Sequence, residues 1–291
     1  MKASVSRRPA PEEPLAIRKL KRFARTPKGT LIVIFVVLLT LAIGRLGWQD
    51  TLPRLGVAVF AAAMVDLAVV RAERREWIFP DGAILSGAIV AMLLSPVEHW
   101  YVVAATATLA VTTKHLFRVG PANVFNPAAL AIVLSSVFFG SIQDWWGALP
   151  ALGWLGIPIL VGAGGFIADR INKLPMVLVF LGVYFSLFTA MGISGAGRDL
   201  AEIFRSPDVH MALFFAFFML DDPPTCPVRY RHQVVYGAIV AVSCFAFFEM
   251  FGWVYFLPAG LLVGNAVEGG RRWLAQERRA RLRAAPARAA A

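Results

Sequence analysis

Residues 114–129 of this chain hold its densest chemical signal. Gly120-Pro121 breaks the chain, and Asn126-Pro127 then has the form of a helix N-cap followed by its first residue. Proline fits there because the first turn of a helix has no use for its missing amide hydrogen. Such a start leaves free N–H groups and the positive end of a helix dipole, with Lys114 and Arg118 close by in sequence. An anionic or electron-rich ligand suits that environment; a plain helix start at a membrane edge would carry the same letters. The second dense stretch is Asp221-Asp222-Pro223-Pro224-Thr225-Cys226-Pro227, followed by Arg229, Arg231 and His232. Two adjacent carboxylates enter a segment whose three prolines exclude helix. The stretch either closes a ligand pocket, docks a partner, or is a capped turn with local ion pairs. The third signal is Asp66, a carboxylate inside an apolar run. A buried carboxylate can exchange protons or hold a cation, or it can pair with a basic neighbour such as Arg71. No Gly-x-Gly-x-x-Gly fingerprint, paired histidines or phosphate-cradling loop occurs, and two cysteines are too few for a zinc or iron–sulfur site.

The elements that must position these residues are apolar. Of 291 residues, 58% are hydrophobic and 16% charged, and the mean hydropathy is +0.65. Soluble domains carry about 25% charged residues, so the composition is that of a polytopic membrane protein. Ten apolar segments are expected as helices: 30–47, 55–70, 82–95, 100–114, 125–142, 151–168, 174–191, 209–220, 234–250 and 254–269. They form a membrane domain over 29–270, between basic tails at 1–28 and 271–291. With the N-terminus inside, 25 of the Lys and Arg fall on one side and four (Arg45, Arg54, Arg198, Arg205) on the other. Positive loops stay in the cytoplasm, so both termini are expected there, with anionic lipid as the partner of the tails and nucleic acid not implied. The amphipathic stretch 15–24 is expected to anchor the first span at that surface. Trp48, Trp100, Trp145, Trp146, Trp154 and Trp253 fall at the outer ends, as an interfacial belt would.

Segments 82–95 and 209–220 are too short to cross a ~30 Å hydrocarbon core as plain helices. They are third in each set of five and run in opposite directions. This predicts an all-α fold of about ten transmembrane helices, arranged as an inverted five-plus-five repeat whose site lies where the short, broken helices meet. Phe214, Phe215, Phe217 and Phe218, and likewise Phe245, Phe247 and Phe248, are expected to face lipid rather than to stack on a flavin. The small residues at 162–165, Ala238 and Ala241 are expected to let helices approach closely. Cys226 and Cys244 are expected to remain unbridged.

Phe125-Asn126-Pro127-Ala128-Ala129 after a basic loop, and Phe217-Phe218-Met219-Leu220-Asp221-Asp222-Pro223-Pro224-Thr225 later, resemble the NqrB/RnfD family. The run 81–91, Asp-Gly-Ala-Ile-Leu-Ser-Gly-Ala-Ile-Val-Ala, resembles that family's third span. The family comprises membrane subunits of ion-coupled electron-transport complexes. The resemblance implies a ten-helix fold like that of urea channels, flavin cofactors, partner redox subunits and a bacterial inner membrane. One departure matters. The family esterifies FMN to the threonine of a Ser/Thr-Gly-Ala-Thr motif in a long outer loop after the fifth span. Here that loop, 143–150, has no threonine, and the nearest string, Ser194-Gly195-Ala196-Gly197, ends in a glycine with no hydroxyl. No covalent FMN is therefore expected.

The leading expectation is a membrane subunit of an Rnf/NQR-like complex, at most a redox subunit of a larger oxidoreductase. It holds a non-covalent flavin (riboflavin or FMN) or a quinone near Lys114, Arg118, Asn126, Pro127, Asp221, Asp222 and Thr225, with Asp66 as an ion or proton relay. A channel or transporter of urea-channel-like fold, and a non-catalytic membrane scaffold, are the alternatives.

Overall fold

The computed structural model describes residues 18, 22–120, 122–195 and 204–289. Pro121, Arg198, Gly197 of the nearest flavin-like string, and most of the 15–24 stretch lie outside the described residues. Each of the ten apolar segments coincides with a helix: α1 (Pro27–Leu46), α2 (Trp48–Arg74), α3 (Asp81–Leu93), α4 (Trp100–Leu116), α5 (Pro127–Phe139), α6 (Gly156–Arg170), α7 (Leu174–Ile193), α8 (Asp208–Phe218), α9 (Tyr230–Phe251) and α10 (Phe256–Ala289). Two 3-10 turns, Trp146–Ala148 and Pro150–Leu155, precede α6. A two-residue antiparallel hairpin, β1 (Arg118–Val119) and β2 (Ala122–Asn123), lies between α4 and α5. Five stretches are long and apolar enough to cross a membrane: α1, α2, 146–170 including α6, α7 and α9. The chain is an all-α membrane protein.

Local chemistry sets the helix ends. Thr26 caps α1 by accepting from Gly29 N, with Pro27 in the first turn. At the other end Gly47 takes φ 96°, a region that favours glycine, and the chain turns at once into α2. Asn126 caps α5 as its sequence predicts, its side chain accepting from Ala129 N.

The short helices stay short. α3 has 13 residues and α8 has 11, about 20 and 17 Å at 1.5 Å per residue. α5 also has only 13 residues, although the apolar run 125–142 is longer. α3 packs on α2 and α4, and α8 on α6 and α7. α2 packs against α4 as α7 packs against α9, and α4 against α5 as α9 against α10. Between helices in lipid the attraction is close van der Waals contact. At two points glycine permits it: a Cβ on Gly164 of α6 would sit 2.4 Å from Phe217 of α8, and one on Gly237 of α9 would sit 2.6 Å from Met176 O of α7.

Two expectations about large side chains are overturned. Phe214, Phe215, Phe217 and Phe218 are buried in protein and do not face lipid. α8 is enclosed on all sides, so its phenylalanines pack against Phe35 of α1 and Phe180 of α7. Trp145 and Trp146 are likewise core residues, each 1% exposed, whereas Trp48, Trp100 and Trp154 are exposed as a belt requires. The cause is the loop at 140–149, which folds inward to cap the broken end of α3. Asp144 N and Trp145 N both donate to Leu93 O, Ser95 N donates to Ile142 O, and Trp146 Nε1 donates to Ala91 O at 2.6 Å. Carbonyls that a full-length helix would satisfy internally are thus satisfied by the loop.

Candidate functional site

Six helix ends surround a cavity of about 550 Å³. They are the N-terminal turns of α1, α3 and α5 and the C-terminal turns of α4, α6 and α8. Strict alternation of the apolar segments puts all six on the same, basic side of the molecule. The floor is apolar, with Leu31, Leu85, Ile89, Ile167, Phe217 and Phe218. The polar wall carries Lys28, Asp81, Lys114, Asn126, Asp221 and Asp222. All three motifs of the family resemblance, at 81–91, 125–129 and 217–225, reach this one space.

The residues singled out from sequence divide into two groups. Lys114, Asn126, Pro127, Asp221 and Asp222 line the cavity. Arg118 and Thr225 do not. The exposed Arg118 donates from Nε to Lys114 O and lies 3.1 Å from His115 Nδ1. Buried Thr225 donates to Asp222 Oδ2 at 3.1 Å and so holds the turn that presents Asp222. Asn126 is only 3% exposed, and its groups work inside the protein. Its Nδ2 donates to Met219 O, and its backbone N–H donates to Asn265 Oδ1 at 2.7 Å. Asn126 therefore ties the start of α5 to the end of α8 and to α10.

Asp66 sits on α2 eight residues before its end, beside α4 rather than alone in the apolar run. Its partner is not Arg71. Asp66 Oδ1 accepts from Lys114 Nζ at 3.1 Å and meets His115 Nε2 at 2.9 Å. Lys114 is thus held by a buried carboxylate and not merely snorkelling. Lys28 and Asp81, which sequence reasoning passed over, pair at 3.1 Å across the starts of α1 and α3. Both cationic side chains on the wall are therefore engaged with carboxylates, while Asp221 and Asp222 have no ion-pair partner among the described residues.

Electrostatics follow from that imbalance. In the connection between α8 and α9, burial pushes the Asp221 carboxyl well above the carboxylate range, and the neighbouring Asp222 charge pushes it the same way. Burial raises Asp222 to about 6, against the pull of the Thr225 hydrogen bond and of Lys114, Arg272 and Lys173. Among the described residues, Asp221 Oδ2 has no hydrogen-bond partner. The cavity therefore presents partly protonated carboxyls at neutral pH rather than a fixed anionic charge.

A second layer holds the 219–228 segment in place. Arg272 donates to Pro224 O at 2.7 Å and to Cys226 O at 2.6 Å while pairing with Glu268. The buried Lys173 donates to Pro227 O at 2.6 Å, and Gln233 donates to Val228 O. Asn265 Nδ2 reaches Tyr236 OH at 2.6 Å. A polar residue late in an apolar span was the visible sign for Asn265 and Glu268; their partners were not legible. Cys226 and Cys244 are free and buried. Among the described residues no group of three or more His, Cys, Asp and Glu could hold a metal ion.

Residues 17–150 match the model of the NQR2, RnfD, RnfE family, which supports an assignment of the NqrB/RnfD type. The matched stretch carries the cavity residues of α1, α3, α4 and α5; the carboxylates of 221–222 come from the part beyond it. The match covers just under half of the chain and shows what that part is similar to. No curated protein matches this chain.

Proposed function

We propose that this chain is the membrane subunit of an ion-coupled electron-transport complex of the bacterial inner membrane, and that its cavity holds a non-covalent flavin or quinone. The observation carrying this reading is the convergence of three separate motifs on one cavity of about 550 Å³. Cofactor sites of about 300–1,000 Å³, mostly apolar with a few placed polar groups, are usual. A flat redox ring has one apolar edge and one polar edge, matching the phenylalanine-lined floor and the Asp221–Asp222 wall. When bound, the ring would supply the electron-accepting chemistry. The chain's own residues orient it, shield it from water and manage protons. Because the wall cations are already paired and the carboxyls are not, an uncharged ring such as riboflavin or a quinone is favoured over a dinucleotide. Covalent attachment has no candidate hydroxyl in the loop at 143–150.

The same reading takes all ten helices as crossings, with α1–α5 and α6–α10 as inverted halves. The equivalent packing of α2 on α4 and α7 on α9 supports this, as does the meeting of the α3 start with the α8 end. Both termini then lie in the cytoplasm. The repeat would serve a channel or transporter equally well, and a ligand assay separates the two. Detergent-purified protein is expected to show a flavin or quinone absorbance spectrum, with the chromophore released by acid precipitation. A colourless preparation that does not take up added riboflavin or quinone would end the redox reading in favour of a transporter or scaffold.

A further inference from the structure

His115 had no role assigned from sequence, yet its surroundings fix its chemistry. Its Nδ1 lies 3.1 Å from an Arg118 NH2 group, and its Nε2 lies 2.9 Å from Asp66 Oδ1. A guanidinium can only donate hydrogen bonds. Nδ1 must therefore accept, the imidazole is neutral, and the proton sits on Nε2, donated to Asp66. Asp66 Oδ1 also takes a hydrogen bond from Lys114 Nζ at 3.1 Å. The imidazole is largely buried, Arg118 is at the surface, and Lys114 lines the cavity. A continuous row of proton-bearing groups thus runs from the surface beside β1, through the contact of α2 with α4, to the cavity wall.

We infer that His115, Asp66 and Lys114 form a proton relay that feeds the cavity from the side, with His115 the group that exchanges with solvent and Arg118 the cover on its outer nitrogen. The inference rests on reading the cavity as a redox site. Electron pairs delivered there by partner subunits draw protons in, while a ring filling the cavity obstructs water at its mouth. One proton enters at Nδ1 when the Arg118 side chain turns outward. The Nε2–H bond breaks as its proton passes to Asp66, which leaves the ring neutral with its proton on Nδ1. The ring then reorients so that Nδ1–H faces Asp66 and Nε2 faces the surface for the next proton. Asp66 returns a proton to Lys114 as the ammonium releases one into the cavity. One proton enters, one leaves, and charge is conserved at every step. The charged and titratable groups facing the row are Asp66 from α2, Lys114 from α4, Arg118 from the hairpin and, around the cavity, Lys28 from α1, Asp81 from α3, and Asp221 and Asp222 from the connection after α8. A purely structural ion pair would need Asp66 and Lys114 alone; it gives no reason for an arginine capping the far nitrogen of a histidine.

Two measurements test the relay. The first uses the ligand-free full chain labelled with [15N]histidine. Ring-nitrogen resonances of His115 are expected to show Nε2 protonated and Nδ1 bare, and Arg118→Gln is expected to let the Nδ1–H tautomer appear beside it. Protonation on Nδ1 instead, or no response to Arg118→Gln, overturns the relay. The second follows proton uptake with a pH indicator while reduced methyl viologen, which gives up electrons without releasing protons, reduces riboflavin bound to the full chain. His115→Ala is expected to slow uptake roughly 100-fold, with recovery on adding imidazole. His115→Gln, which keeps most of the side-chain volume, is expected to be slow as well. Unaltered uptake in both variants, or slow uptake that imidazole does not restore, overturns the relay. Failure of the wild type to bind riboflavin at all counts against the cavity reading, while the nitrogen spectra still decide whether His115 is poised as described.

Discussion

The two ends of this helix bundle solve the same geometric problem in opposite ways. At the basic end, the start of α3 and the end of α8 leave an open space lined by carboxyls and lysines. At the far end, where α3 stops and α8 begins, the equivalent space is filled. Trp145, Trp146 and Leu149 are buried there, His210 Nε2 donates to Gly153 O, and a Cβ on Gly147 would sit 2.4 Å from Met92 Cβ. Broken helices create two places where backbone groups need partners. One is met by packed aromatic loop, the other by polar side chains around a void. The same architecture thus yields a rigid plug on one side and a ligand-sized pocket on the other, and the size and polarity of the side chains distinguish them.

Substitutions can break or sharpen that contrast. The largest effect is expected from Trp146→Ala at the plugged end, where a buried indole and its bond to Ala91 O are both lost. A stability decrease of about 3–5 kcal/mol is expected in thermal unfolding, while the affinity for added riboflavin stays at the wild-type value below the melting range. An equal loss of affinity would mean that the two ends are not independent. Next is Asn126→Ala at the open end. It removes a helix cap and the bond to Met219 O, costing about 1–2 kcal/mol, and here riboflavin affinity is expected to fall as well. Unchanged binding would remove Asn126 from the site.

A smaller effect is expected from Asp222→Asn, read through pH. The folded-state value of Asp222, about 6, lies above the ordinary aspartate value of 3.8 that holds in the unfolded chain. The folded protein therefore binds the extra proton between those values, and this group's contribution to stability falls as pH rises through that window and is fully unfavourable above 6. The melting temperature of wild type minus that of Asp222→Asn is expected to increase as pH is lowered from 7 to 5; a flat difference would place Asp222 in ordinary solvent. The smallest effect belongs to Lys28→Ala. The Lys28 side chain is 62% exposed in its pair with Asp81, and such surface pairs contribute about 0–1 kcal/mol. Melting should scarcely change.

Much of the fold was legible because hydropathy and punctuation are local. Asn126-Pro127 marked the start of α5, and the runs ending near Pro96 and at Asp221 marked the two short helices. Their shared cavity was legible only through the alternation of helix direction. What failed did so for one reason. In lipid, a phenylalanine facing acyl chains and one facing protein carry the same hydropathy, so Phe214–Phe218 could not be told from lipid-facing bulk. Trp145 and Trp146 misled for a related reason: a tryptophan in an outer loop suggests the interface unless the loop turns inward, which only the short α3 demands. The pairing of Asp66 with Lys114 and His115 spans 48 and 49 residues of sequence and depends on how α2 and α4 are rotated against each other. No local pattern encodes that rotation.

α10 has a mechanical consequence. It runs unbroken for 34 residues, about 51 Å, against a hydrocarbon core of ~30 Å. In the ten-crossing arrangement proposed above, its last turns would stand clear of the bilayer as a stiff arm. Where that arm enters the bundle, Asn265 accepts from the α5 start, and two turns further on Arg272, held by Glu268, donates to the 224–226 turn. In that arrangement, a force on the arm from a partner subunit would reach the start of α5 and the 224–226 turn together through those contacts.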